Sequence, residues 1–153
     1  MRKISIALTV LVVSFFTPNL QYFSILEKLY FPTNNISYII CTKERLEVQS
    51  FGGFGEVNFY FFSSMEETKN INIDYLAVIS ESVEVPVIFN DRFLIENKIN
   101  IVQKESYEDF MLYYCYSKSL NKNLIIQNKV FNLQIAIYEN CYKVGYPAIM
   151  DGF

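Results

Sequence analysis

Side-chain catalysis draws on a short set of residue types, and one of the most used is missing here: the 153 residues include no histidine. That removes Ser-His-Asp and Cys-His nucleophile pairs, His-ligated zinc and a histidine pH switch. The three thiols, Cys41, Cys115 and Cys141, stand far apart without C-x-x-C spacing, so neither a zinc nor a redox motif is supported. A thiolate nucleophile needs a stabilising positive charge. No cysteine has an adjacent basic residue; Lys43 and Lys143 lie two positions beyond Cys41 and Cys141. The cysteines read as small buried apolar side chains. Outside the cytoplasm a disulfide is also permitted, with an odd count leaving at least one thiol free or intermolecular.

Carboxylates are the remaining catalytic material. Glu66-Glu67, Glu81 with Glu84, and Glu108-Asp109 are the close pairs. Glycoside hydrolysis needs two carboxyl groups across a cleft, in environments that push their pKa values apart. Sequence neighbours seldom face one another in that way, and solvated surface charge is the plainer account. A carboxylate-dependent hydrolase acting on cell-wall material stays as the alternative function, resting on Glu66, Glu81 and Glu108. The glycine cluster 51–55 (FGGFG) lacks the lysine and following helix of a phosphate loop and reads as a hairpin turn. Thirteen basic against sixteen acidic side chains give a net charge of −3. The densest basic stretch, Lys118, Lys122 and Lys129, is spread thinly among Asn and Ile, so nucleic-acid binding is not expected. No catalytic residue, cofactor or metal ligand is assigned.

Aromatic residues are the features suited to binding. Phe59-Tyr60-Phe61-Phe62 forms one run, and Tyr113, Tyr114 and Tyr116 another. A strand sends alternate side chains to opposite faces, and exposed aromatics are enriched at protein interfaces and membrane surfaces. Phe59, Phe61, Tyr113, Tyr114 and Tyr116 are therefore the expected interaction surface, for a protein partner or a membrane. Burial of both faces under helices is the competing account.

The elements that must position these residues begin with an N-terminal segment. Met1-Arg2-Lys3 precedes the uncharged apolar run 4–16 (ISIALTVLVVSFF), which Thr17-Pro18-Asn19 breaks. A charged start and a short apolar stretch make a secretory signal, and the run is short for a ~20-residue span. No A-x-A cleavage pattern follows, so residues 1–20 are expected to be either a signal peptide or a retained membrane anchor. The expected location is extracytoplasmic, secreted or anchored to the cell membrane. Loss of residues 1–20 takes the net charge from −3 to −5, because Arg2 and Lys3 are their only charged residues.

Residues 21–153 are expected to form a single domain. With 52% hydrophobic and 19% charged residues the chain is too apolar for disorder. Apolar spacing predicts a helix over 21–31 ending at Pro32. Strands are predicted over 36–41, 45–50, 57–63 and 71–80, with 83–89 as an edge strand or irregular loop around Pro86. A short strand over 99–102 follows. Residues 106–116 fit a helix at the start and an aromatic strand at the end, and 117–127 a short helix or loop. The strands 130–138 and 141–149 flank Glu139-Asn140 as a terminal hairpin, with asparagine suited to a left-handed turn. The fold class is α+β: an antiparallel sheet with one or two packed helices and an N-terminal signal or anchor helix, ending in a C-terminal β-hairpin.

Within the last forty residues, Tyr116-Ser117 follows an apolar strand, and Asn132-Leu133-Gln134-Ile135-Ala136 lies on the next. Val144-Gly145-Tyr146-Pro147 and Ile149 then lead to an aromatic end at Phe153. In order and spacing this resembles the C-terminal part of the YwmB family, exported proteins of spore-forming Firmicutes with a fold likened to the TATA-box-binding protein. The resemblance covers about a quarter of the chain. Ile137-Tyr138-Glu139 stands where the family usually carries a basic residue, and Gly145-Tyr146-Pro147 replaces the usual Gly-Thr-Pro. The resemblance implies a fold and an exported location, and no catalytic residues. The function expected is that of an uncharacterised envelope protein, a non-enzymatic interaction domain.

Overall fold

Beyond the apolar N-terminal run, aromatic and β-branched stretches alternate with turn residues, and strands are the main regular element. The computed structural model describes residues 24–152. Its strands are β1 (Ser37–Thr42), β2 (Gly52–Phe54), β3 (Val57–Phe62), β4 (Val78–Val85), β5 (Asn100–Ser106), β6 (Met111–Tyr116), β7 (Leu124–Ile126), β8 (Lys129–Phe131), β9 (Leu133–Ile137) and β10 (Tyr142–Tyr146). One α-helix, α1 (Arg92–Glu96), and three 3-10 turns (Ile25–Lys28, Met65–Asn70, Tyr75–Ala77) complete it. Eight strands form one sheet in the order β2-β3-β1-β4-β10-β9-β6-β5, and β7-β8 stand apart as a hairpin. Every pairing is antiparallel. The fold is thus mostly antiparallel sheet with few short helices. The expected anchor helix lies outside the described residues.

Alternation divides the sheet into two unlike faces. One carries Tyr38, Ile40, Tyr60, Val83, Val144, Ile135 and Cys115 into the main core, beneath Ile25, Leu26, Leu29, Phe93 and Leu94. Phe89 stands edge-on to Tyr113 and Tyr142, at centroid distances of 6.0 and 5.3 Å, and Phe31 stacks on Phe93 at 5.6 Å. Such ring pairs add about 0.5–1.5 kcal/mol each to the area they bury. The other face has a small core of Leu112, Ala136 and Ile149. Ile149 arrives there because the chain folds back over β10 after the cis Tyr146–Pro147 peptide. A Cβ on Gly145 would lie 2.5 Å from the Ile149 side chain and 2.6 Å from its backbone nitrogen, so only glycine lets residues 147–152 lie this close.

Several local expectations are corrected. Residues 45–50 form no strand: of that run Leu46 alone is buried, its amide held by the Tyr60 hydroxyl at 3.0 Å, while β2 takes the place beside β3. The stretch 71–80 becomes strand only at Val78, because Asp74 accepts from the Leu76 amide at 2.9 Å and opens a 3-10 turn. Pro86 marks no edge strand; β4 lies between β1 and β10, and the proline follows its last residue. Residues 106–116 resolve as strand from Met111. Within 117–127, β7 pairs with β8 through Gln127 and Asn128, at φ of 50° and 63°, the two left-handed positions of a type I′ turn. The terminal hairpin β9-β10 forms as expected, but Asn140 does not take a positive φ. Of the helix expected over 21–31, the described part is a single 3-10 turn.

Candidate interaction surface

The strand register separates the predicted aromatic surface into three parts. Phe59 pairs with Cys41 and Phe61 with Ile39, on the face opposite the main core; Phe61 is 52% exposed and Phe59 half-buried. Tyr114 and Tyr116 share that face, both half-buried, through their place beside Leu112 on β6. Five strand steps separate β3 from β6, about 24 Å at ~4.8 Å per strand. The two runs are therefore not one patch. Tyr113 is corrected outright: it alternates with Tyr114, is buried in the main core, and has the Lys104 ammonium 4.5 Å from its ring centroid.

Tyr114 is occupied as well. Phe131 of β8 packs edge-on to it at 5.2 Å, and its hydroxyl donates to Glu105 at 3.1 Å. Burial and the Glu105 carboxylate push the Tyr114 phenol up to about 12. Glu105 also accepts from Tyr107 at 2.7 Å and Gln103 at 2.9 Å, and these bonds, led by Tyr107, lower its pKa. What stays open is the β2-β3 side. Phe51 is 54% exposed, stands 6.0 Å from Phe59 and donates its amide to the Phe59 carbonyl, while Phe54 beside the turn is 85% exposed. Sequence reasoning missed Phe51 and Phe54, although they flank the glycines it assigned to the turn. Gly55, at φ +61°, takes the first position of that turn.

The three carboxylates of the hydrolase alternative do not converge. Glu66 sits in the Met65–Asn70 turn, paired with Lys69 at 2.6 Å. Glu108 lies exposed between β5 and β6, six strand steps across the sheet from β3, about 29 Å. Glu81 is 1% exposed under the main core. Its carboxylate accepts from the Ser24 hydroxyl at 2.7 Å and from the Ile25 and Leu26 amides at 3.3 Å, satisfying the start of the first 3-10 turn. The Lys122 amine lies in its field and donates to the Val78 carbonyl at 2.8 Å; burial lowers the amine's pKa, and Glu81 opposes that.

The thiols are equally committed to structure. Cys41 and Cys115 are fully buried on opposite faces of the sheet, and all three cysteines are free. Burial, reinforced by the Asp151 charge, pushes the Cys41 thiol up to about 12 against the pull of Lys143 and Ser80. Burial likewise raises Cys115 to about 12. Both are protonated at neutral pH, the reverse of an activated nucleophile. Beside Cys41, Lys143 forms an ion pair with Asp151, which accepts from Ser82 at 2.8 Å, and Lys143 also donates to the Gly152 carbonyl at 3.0 Å. This cluster fastens the C-terminal tail to β4 and β10. Among the described residues no group of Cys, Asp and Glu could hold a metal ion, and no helix is long and apolar enough to cross a membrane. Comparison with protein-family models, curated proteins and solved structures returns no significant match.

Proposed function

We propose that the chain is an exported or membrane-tethered envelope protein that works by binding, with a protein partner seated on the β2-β3 side of the sheet. The contrast between the two sheet edges carries this reading. At the β5 edge the register shifts between Ile101 and Gln103, Lys104 and Glu105 follow, and the β7-β8 hairpin lies against it. Irregularity, charge and cover are the usual guards of an edge. The β2 edge, short at three residues, has no charge, bulge or cover among the described residues: Gly52 and Gly53 are exposed, Phe51 and Phe54 flank them, and Phe61 is exposed on the neighbouring β3. An extended segment of a partner can add there as a strand, with aromatic rings to fill its side-chain pockets.

Export rests on Arg2-Lys3 and the apolar run 4–16. Kinship with the YwmB family belongs to the same reading, supported by the β9-β10 hairpin formed by its matching residues and by the tail packing that Gly145 permits. The test is a photo-crosslinking residue placed at Phe54 or Phe61 in cells, with Ile88 and Ile95 as exposed controls away from this edge. A discrete adduct from 54 and 61 alone, in an extracytoplasmic fraction, is the expected result. The same adducts from all four positions, or a protease-protected cytoplasmic product, would overturn it.

A further inference from the structure

The stretch 117–131 carries Lys118, Lys122 and Lys129 and no acidic residue, within a chain of net charge −3. It folds as a loop followed by the β7-β8 hairpin, and the hairpin is apolar outside. Ile125 is 70% exposed and its partner Val130 42%, while the flanking Leu124 and Ile126 are 38% and 41%. Alternation puts Leu124, Ile126 and Phe131 on the face opposite Ile125 and Val130, and of these Phe131 is buried, seated on Tyr114. The finger is held firmly at its base. Asn132 is fully buried; its side chain accepts from the Ser117 amide at 2.8 Å and donates to the Ser117 and Leu120 carbonyls at 2.8 and 3.1 Å. A fixed element with an apolar outer face and a basic surround has the chemistry of an interfacial lipid contact.

Its place in the fold agrees. Ser24, where the described chain starts, is held by Glu81, and Lys122 at the base of the hairpin shares that carboxylate's field. From Leu20 to Ser24 the chain spans at most about 14 Å even fully extended. A retained anchor ending near residue 20 therefore holds the domain at the bilayer, where surface charge and exposed apolar area decide which side turns to the lipid. We infer that the β7-β8 hairpin lies on an anionic phospholipid surface, Ile125 and Val130 entering the headgroup boundary and the exposed Lys118 and Lys129 meeting lipid phosphates. This rests on reading residues 1–20 as a retained anchor.

The chain has no tryptophan, so Ile125→Trp and Ile88→Trp each give a single reporter, Ile88 being 71% exposed beyond the far end of β4. Full-length protein is reconstituted into phosphatidylglycerol–phosphatidylcholine vesicles with and without brominated acyl chains. The expected result is co-flotation, with at least about twofold bromolipid quenching at position 125 and little at 88. That quenching should fall by about half or more in pure phosphatidylcholine, and in Lys118→Gln/Lys129→Gln. A Val130→Trp reporter guards against a misfolded Ile125→Trp, and circular dichroism checks each variant. Co-flotation without quenching at 125 and 130 overturns the hairpin contact and leaves the anchor standing. Equal quenching in neutral vesicles overturns the anionic assignment. Failure to float overturns anchor and contact together.

Discussion

Replacing Asp151 with alanine removes the partner of a lysine that the tail has sealed from water. The Lys143 side chain is 10% exposed and that of Asp151 2%. Breaking a buried pair from one side costs about 3–5 kcal/mol, because the surviving charge keeps its desolvation penalty without its attraction. Lys143 retains the Gly152 carbonyl at 3.0 Å, which places the loss near the lower end. The Ser82 hydroxyl loses an acceptor at 2.8 Å, about 1 kcal/mol more. The total is about 3–4 kcal/mol. With an unfolding entropy near 2.1 cal/mol/K per residue over roughly 130 residues, the melting temperature should fall by about 10–15 °C. Thermal and urea unfolding followed by far-UV circular dichroism would read this. The same pair predicts non-additivity: Lys143→Met combined with Asp151→Ala should lose less than the two single changes summed, since no charge is then stranded. An Asp151→Ala protein within about 0.5 kcal/mol of the parent, or strict additivity, would refute the reasoning.

Gly145→Ala should cost about 1–3 kcal/mol and speed amide exchange over 147–152, because the added methyl meets Ile149 and Ala148 backbone atoms under 3 Å away. Glu81→Ala should free the first 3-10 turn, seen as faster amide exchange over 25–28, while Glu66→Ala leaves that exchange unchanged. Tyr142→Phe should be neutral or stabilising by up to about 1 kcal/mol in urea titrations, since the buried Tyr142 hydroxyl has no hydrogen-bond partner among the described residues. Folded protein at pH 8.5 should leave Cys41 and Cys115 unlabelled by a thiol reagent that modifies all three cysteines in urea. Because both folded thiols hold their protons up to about 12 while unfolded thiols release theirs near 9, stability should fall as pH rises above 9; Cys41→Ala/Cys115→Ala should flatten that fall.

Antiparallel pairing was legible where one residue in two was apolar and a turn residue stood between runs, as in β9-β10; at β3 the glycine turn was legible but its partner strand was expected at 45–50, whereas Gly52–Phe54 takes that place. It failed where a single side chain redirected the backbone. Asp74 diverted the start of β4 into a 3-10 turn, and the Gln127-Asn128 turn made a hairpin of a stretch that reads as loop. The aromatic surface was legible only in part, for a related reason. A run such as Met111–Tyr116 states its period but not which half faces the core, and Tyr113 went inward while Tyr114 was covered by Phe131, from a hairpin later in the chain. Long-range pairings such as Asp151 with Lys143 and Ser82, or Glu81 with Ser24, leave no local sign at all. They depend on how strands distant in sequence lie side by side.

The grip of Glu81 on Ser24 also decides how the molecule bears a load. A pull on the chain before Ser24 would pass through that carboxylate into β4, which has β1 hydrogen-bonded on one side and β10 on the other. Force would enter at the middle of the sheet, where two ladders must yield together, and not at an edge strand that can be peeled away one bond at a time.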